Sequence, residues 1–338
     1  MAAAGVELAF DLTQYSVIGI EGVLKHYFKF RRLFNQLLAL AIECKPDVVI
    51  GVDYGGFNLR FGHAVKEYVR KHPGNWNPKI VQFVSPQVWA SRPGRADLLA
   101  ADYDLLLSIF PFEKDWYARH APKLRVEFVG HPMVERFKGQ GPKSKVQSPP
   151  TVLLLPGSRT GELKRHLPVM TGALRLIQMK LPGVRAKMVL PGEKLKELAG
   201  GPPALPPGVE IQIGNLSPAL AEADAAIAST GTVTMECAFF GVPTVTLYKT
   251  SRLNYEIAKR IVTVKWATMP NILVNAEIFP EFIQSSATPE NVSRAALELL
   301  QNESRRQQIK AQLAKIISSL GEPGASRRAA SAILSLFT

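Results

Sequence analysis

Short β-branched or leucine-rich runs alternate with longer stretches of helical period along the whole chain. The runs at Asp47–Val52, Ile80–Val84, Leu105–Ile109, Val126–Val129, Thr151–Leu155, Ala186–Leu190, Ala225–Ala228 and Thr244–Leu247 have strand length and composition. Apolar positions recur at helical spacing over Tyr27–Ile42, Phe57–His72, Thr160–Lys180, Thr232–Phe240, Pro289–Leu300 and Ser304–Leu320. Strand–helix alternation of this kind predicts an α/β chain with parallel sheets and right-handed crossovers. The stretch Gly139–Pro150 (GQGPKSKVQSPP) interrupts the alternation and reads as a linker. It divides the chain into 1–146 and 147–338, two α/β halves of comparable size. The tail Ala325–Phe337 reads as an amphipathic helix that must pack somewhere, the first half being one place for it.

Composition narrows the partners. The chain has 338 residues, 46% apolar and 20% charged, which is globular and long enough for two cores. Its 41 Lys plus Arg against 28 Asp plus Glu give a net charge of +13. Such a balance suits a polyanion: nucleic acid, an anionic membrane or a phosphorylated substrate. Helix-turn-helix, RNP and zinc-finger spacings are all absent, so no nucleic-acid partner is expected. The start, MAAAGVELAFDLTQY, lacks the form of a secretory signal, and no apolar run reaches the ~18–20 residues of a spanning helix. The protein is therefore expected to be soluble or to sit on a membrane surface. Cys44 and Cys237 both fall in apolar helical stretches and read as reduced, buried thiols of a cytosolic protein.

In open α/β sheets ligands lie beyond the carboxyl ends of the strands, so the loops there carry the chemistry. Asp53, in Gly51–Asn58 (GVDYGGFN), ends the first strand beside two glycines. It can take a proton from an acceptor hydroxyl as general base, or cap the helix that follows. In Leu154–Glu162, Ser158 or Thr160 can cap a helix whose N–H groups, with Gly157 and Arg159, would meet a phosphate or a leaving diphosphate. An ordinary capped helix with a surface Arg gives the same pattern. Ser229–Glu236 followed by Gly241-Val242-Pro243 is strand, small-residue loop, helix and glycine stop. Gly231 and Thr232 would let a diphosphate approach, and Glu236 could accept from ribose hydroxyls; a plain capped helix again fits. Asn271, in Met269–Leu273, is either a nucleotide contact or part of a structural turn.

Asp102-Tyr103-Asp104 spells a metal-binding D-x-D, but it leads into a strand instead of following one. The six His residues show no zinc spacing, so no metal and no cofactor are expected. His131, in Val129-Gly130-His131-Pro132, follows a strand and could line a cleft. Lys25–Phe34 (KHYFKFRRLF) mixes cations and aromatics within about three turns and either lies on an anionic bilayer or packs as an ordinary core helix.

Taken together, GVDYGGFN (Gly51–Asn58), VSPQVWASRPGR (Val84–Arg95), FPFEK (Phe110–Lys114), FVGHP (Phe128–Pro132), LPGSRTGE (Leu155–Glu162), STGTVTMECAFFGVP (Ser229–Pro243), AKRIV (Ala258–Val262) and PNIL (Pro270–Leu273) resemble the lipid-A-disaccharide synthase family in order and over essentially the whole chain. The resemblance implies a GT-B fold: two Rossmann-like domains, 1–146 facing acceptor and membrane and 147–338 binding the UDP-sugar, on either side of a cleft. It implies an inverting glycosyltransferase of lipid A biosynthesis. UDP-2,3-diacylglucosamine and 2,3-diacylglucosamine 1-phosphate would give a β-1,6 disaccharide 1-phosphate and UDP. By it Asp53 and Arg159 are catalytic, Gly157, Ser158, Arg159, Gly231, Thr232, Glu236 and Asn271 bind the nucleotide diphosphate, and Val23, Leu24, Tyr27, Phe28 and Phe30 touch the membrane. A cytoplasmic protein peripheral to the inner face of the inner membrane is implied, with a homodimer left open.

Three departures stand out. The family's chains start with a strand and a GEASGD-type loop, whereas this sequence begins at the segment after it, so the first sheet is expected to lack about one β-α-β unit. Gly56 stands where a further Asp is usual, and Gln87 and Ser91 replace the Ser and Trp of VSPSVWAW. A non-catalytic or split nucleotide-sugar or membrane-binding relative, or another UDP-sugar GT-B enzyme, is the alternative.

Overall fold

The computed structural model describes residues 5–9, 20–141, 149–201 and 205–338; in the first helix side chains are described from Phe28 onward. Most of the expected linker, and the side chains of Val23, Leu24 and Tyr27, fall outside these residues.

Helix α1 (Ile20–Cys44) leads into a four-stranded parallel sheet of sequential order: β1 (Val48–Val52), β2 (Lys79–Phe83), β3 (Leu105–Ser108) and β4 (Val126–Phe128). The connections carry α2 (Gly55–Lys71), α3 (Val88–Ser91), α4 (Ala96–Asp102) and α5 (Pro111–His120), with α6 (Met133–Arg136) after β4. The second sheet has six parallel strands, β5 (Thr151–Leu155), β6 (Arg185–Leu190), β7 (Val209–Ile213), β8 (Ala225–Ser229), β9 (Thr244–Tyr248) and β10 (Glu281–Ile283). Their order is β10-β9-β8-β5-β6-β7. The chain winds outward from β5 through β7 and then returns to the other side of β5. The switch point therefore falls between β5 and β8, where an open sheet leaves a crevice for ligand. Helices α7 (Thr160–Lys180), α8 (Glu193–Ala199), α9 (Leu216–Glu222), α10 (Thr232–Phe239), α11 (Arg252–Ile261), α12 (Met269–Val274), α13 (Pro289–Gln301), α14 (Glu303–Ser319) and α15 (Ala325–Leu334) complete the chain.

All five residues of β5, the apolar run TVLLL, are buried. Helices α7 and α13 lie so close that a Cβ on Gly172 would come within 2.8 Å of Pro289. The edge strand β1 is less covered: Ile50 and Val52 remain 44% and 42% exposed. One face of the first sheet packs Ile80 and Leu106 against Val65 and Leu99; the other packs Val81, Leu105, Leu107 and Val129 against Ala329 and Ala332 of α15. The C-terminal helix thus returns to the first sheet. Arg328 fastens it there, donating from Nε to the Val129 carbonyl at 2.8 Å and from Nη1 to that of Pro323 at 2.9 Å. Gly130 (φ 85°) is the close approach, because a Cβ there would lie 2.7 Å from the Arg328 guanidinium.

The D-x-D carboxylates stabilise the first half. Buried Asp102 takes His63 at 2.8 Å and Arg70 at 2.9 Å, while Asp104 takes Lys66 at 3.0 Å and the Ile80 N–H at 2.8 Å. The expectation of two buried thiols needs correction. Cys237 is buried, and burial pushes its thiol up to about 12. Cys44 is exposed, because the last turn of α1 runs into solvent before the chain turns at Lys45 (φ 46°).

Candidate active site

The carboxyl end of β1 is held under strain. Asp53 (φ 51°), Tyr54 (φ 36°) and, at the end of β2, Val84 (φ 68°) are all left-handed without being glycine, which costs on the order of 1 kcal/mol or more each. Side-chain amides hold this geometry. Gln82, wholly buried, donates from Nε2 to the Asp53 carbonyl at 2.9 Å and to that of Val84 at 3.1 Å. Asn58 donates to the same Asp53 carbonyl at 2.7 Å and to that of Val52 at 3.2 Å. Tyr54, not Asp53, is the N-cap residue of α2. The carboxylate of Asp53 is exposed and makes no hydrogen bond or ion pair among the described residues, so capping does not account for it.

Beneath this corner runs Ser85–Arg95. Glu113 anchors it from the interior, accepting from Trp89 Nε1 at 3.0 Å and the Phe110 N–H at 3.2 Å. Burial pushes the Glu113 carboxyl up to about 7, against hydrogen bonds from Trp89, the Phe110 amide and Ser85 that lower it. From the β4 exit come His131 and Arg136. The Met133 N–H donates to His131 Nδ1 at 3.2 Å, leaving the ring proton on Nε2, and burial pushes the imidazole down to about 4. His131 therefore faces the cleft as a neutral donor. Phe137 wedges against Phe239 and Phe240, with ring centroids 5.1 and 5.4 Å away, and Arg136 lies over the Phe137 ring at 5.0 Å.

The opposite wall belongs to the second sheet. Gly157 (φ 112°) lets the loop after β5 close over Glu162; a Cβ there would sit 2.5 Å from the Glu162 carboxylate. That carboxylate accepts from the Ser158 N–H at 3.2 Å and from Arg159 at 2.7 Å. Neither Ser158 nor Thr160 caps α7; its N-cap residue is Arg159, with no side-chain cap bond. After β8, Gly231 (φ 133°) opens α10 at Thr232. Glu236, one turn on, is half-buried, and burial raises its carboxyl while the charge of Arg136 opposes the rise.

These walls enclose two joined cavities. One of about 890 Å³ is lined by Asp53, Gln87, Arg92, Arg95 and His131 among others; one of about 640 Å³ is lined by Gly157, Ser158, Arg159, Asn215 and Thr230. Arg136, Gly231, Thr232 and Glu236 line both. The structure thus gathers every expected polar site residue except one. Asn271 is wholly buried, donating to the Phe279 carbonyl and Glu281 at 2.8 Å each and accepting from the N–H groups of Ile278 and Phe279. Its two donors and two acceptor positions are used within the protein, which leaves none turned to the cavity.

A family model, lipid-A-disaccharide synthetase, matches residues 1–336. The chain belongs to that family. The lipid-A-disaccharide synthase of Syntrophus aciditrophicus is 33% identical over 347 residues, covering 99% of this chain and 88% of its own, and that of Geobacter metallireducens is 31% identical over 346 residues, covering 99% and 87%. Solved structures with the same fold include UDP-GlcNAc 2-epimerase from Neisseria meningitidis bound to UDP-GlcNAc (TM-score 0.63, 12% identity, 99% of this chain and 87% of that one). Another is the calicheamicin glycosyltransferase CalG4 (TM-score 0.56, 17% identity, 96% and 83%). The fold is GT-B, and a lipid-A-disaccharide synthase of this fold is a glycosyltransferase taking a UDP-sugar. Sequence reasoning passed over Gln82 and Arg136 in this site. Arg136 had a legible signal, a cation just past a strand; Gln82, inside β2, had none.

Proposed function

We propose that this chain transfers the diacylglucosamine of UDP-2,3-diacylglucosamine to 2,3-diacylglucosamine 1-phosphate. The 6-hydroxyl oxygen of the acceptor attacks the anomeric carbon, the bond from that carbon to the UDP oxygen breaks, and the configuration inverts to a β-1,6 linkage. Asp53 takes the hydroxyl proton as the new bond forms. The electron pair of the broken bond goes to the diphosphate, where Arg159, Arg136 and the N–H groups beside Gly157 and Gly231 meet the growing charge. Glu236 accepts from the ribose. The observation that supports this best is the meeting of the two cavities at Arg136, Gly231, Thr232 and Glu236, with Asp53 on one side and Arg159 on the other.

Both substrates carry fatty chains, which must be drawn from a bilayer. Helix α1 supplies an 81% exposed Phe28 next to Lys29 and close to Arg31 and Arg32, a surface suited to an anionic membrane on the cytoplasmic side. The test is UDP release with matched acylated donor and acceptor. Asp53→Asn should lower turnover ~10²–10⁴-fold with the melting temperature unchanged; near-normal turnover in that variant would remove Asp53 as the base.

A further inference from the structure

The acceptor wall holds a concentration of positive charge that the donor chemistry does not use. Helix α3 ends at Arg92, whose N–H returns to the Val88 carbonyl at 2.8 Å, and the turn Pro93-Gly94-Arg95 closes with the Arg95 N–H on the Arg92 carbonyl at 3.0 Å. Trp89, buried on Glu113, fixes the segment from within. Thr263 of the second half fixes it from across the cleft, its Oγ1 donating to the Trp89 carbonyl at 3.1 Å and its N–H to that of Ala90 at 2.9 Å. A rigid turn thus presents two guanidinium groups to the larger cavity and none to the smaller one.

Among the described residues no carboxylate pairs with them. Arg60, Arg92 and Arg95 form no ion pair or side-chain hydrogen bond among the described residues. Arg95 is half-buried, and burial, then the charges of Arg92 and Arg60, hold its guanidinium below the usual arginine range. Asp53 and Glu236 line the same cavity, yet neither pairs with these arginines among the described residues, and holding like charges so close is unfavourable until an anion arrives. One carboxylate would leave positive charge over, whereas a phosphomonoester brings close to two negative charges and the oxygen geometry that paired guanidinium forks match. The donor's diphosphate is served by Arg159 and the α7 and α10 loops, so these arginines address a different anion.

We infer that Arg92 and Arg95, within the field of Arg60, form a phosphomonoester subsite on the acceptor wall, which selects a phosphorylated acceptor and orients its hydroxyl toward Asp53. This rests on the transfer reading above. The test compares the parent with Arg92→Ala/Arg95→Ala and Arg95→Lys on the acylated glucosamine 1-phosphate and on the same acceptor lacking its phosphate. The parent should favour the phosphorylated acceptor. The double variant should lose ~10²-fold in kcat/KM on it, mostly through KM, and become nearly indifferent to the phosphate, with KM for the UDP-sugar unchanged. Arg95→Lys should fall between, keeping the charge and losing the fork.

If the double variant still discriminates as the parent does, the subsite is wrong. If it loses binding to phosphatidylglycerol vesicles while its acceptor preference is untouched, the arginines serve the bilayer and the proposal falls. If the parent transfers to neither acceptor, the transfer reading fails, and calorimetry with glucosamine 1-phosphate decides the subsite by itself. Binding to the parent and not to the double variant upholds it; equal binding overturns it.

Discussion

Replacing Gln82 by Leu should separate catalysis from stability. The side chain is wholly buried, its amide nitrogen holds the carbonyls of Asp53 and Val84, and its oxygen has no partner. The change removes two neutral hydrogen bonds of ~1 kcal/mol each, and leaves the Val84 carbonyl short of a donor. It also removes a buried unpaired oxygen, a burden of about 1–3 kcal/mol, and adds apolar burial of ~1 kcal/mol. The gains and losses nearly cancel, so unfolding free energy should move by no more than ~1 kcal/mol. Activity has no such compensation. Asp53 and Val84 keep their left-handed φ values of 51° and 68° only while something holds them. With the Asp53 carbonyl left to Asn58 and the Val84 carbonyl released, the corner relaxes and, on the proposed mechanism, the carboxylate drifts from the acceptor hydroxyl, where a displacement of an ångström costs roughly 10²-fold. Turnover should drop ~10–100-fold with KM for the UDP-sugar unchanged, read by UDP release beside urea melts at one temperature. Parental turnover in a folded Gln82→Leu protein would refute the reasoning, as would a loss that merely tracks unfolding.

Asn271→Ala should destabilise the fold by about 3–5 kcal/mol, because it strands the Ile278 and Phe279 amides in the interior, while UDP affinity measured well below the melting temperature stays at the parental value. Glu113 is an acid whose folded pKa, about 7, lies above its unfolded value, so the folded state binds the extra proton. Stability should therefore be undiminished below the unfolded pKa and fall as pH rises from there to about 7, by roughly 3 kcal/mol at most, and Glu113→Gln should flatten that slope in urea melts between pH 4 and 8. Phe28→Ser/Phe30→Ser with Lys29→Glu should release the protein from phosphatidylglycerol vesicles in co-sedimentation, and unchanged binding would return α1 to an ordinary packing role.

The central strands were legible because burial on both faces leaves an unbroken apolar run: β5 matches the predicted Thr151–Leu155, and α7 the predicted Thr160–Lys180 despite an internal Pro168. The edge strands of the second sheet escaped. Strand β7 reads VEIQI and β10 only EFI, half-exposed sequences whose alternation a loop can imitate. Of the residues lining the two cavities, those legible in the sequence were the ones at strand ends, such as Asp53, Arg159 and Gly231. The site was illegible where geometry decides. Asn271 and Asn58 are the same residue type, yet one is spent on a knot of four hydrogen bonds and the other steadies the Asp53 carbonyl. Arg92 and Arg95 lie in the motif VSPQVWASRPGR, and only the structure shows that no carboxylate among the described residues pairs with them.

A transferase of two walls must fix the distance between them, and the attachments here fall beside the reacting groups. Phe137, which packs on Phe239 and Phe240 at the end of α10, directly follows Arg136, which lines both cavities. Thr263 holds the carbonyls of Trp89 and Ala90, two to three residues before Arg92. Arg328 holds the Val129 carbonyl, and the Leu320 carbonyl accepts from the His131 N–H at 2.9 Å. Each attachment joins an element of the second sheet, or the helices that follow it, to the carboxyl end of a strand in the first. Rotation of one half against the other would therefore move Arg136, Arg92 and His131 before it moved either core. On the transfer proposed above, a donor with its diphosphate at Arg136 and its ribose at Glu236 would act on the same segments that position the acceptor wall. Differential interaction with open and closed arrangements is all that such coupling requires. On that reading the donor and acceptor cavities share Arg136, Gly231, Thr232 and Glu236, so what one ligand moves the other meets.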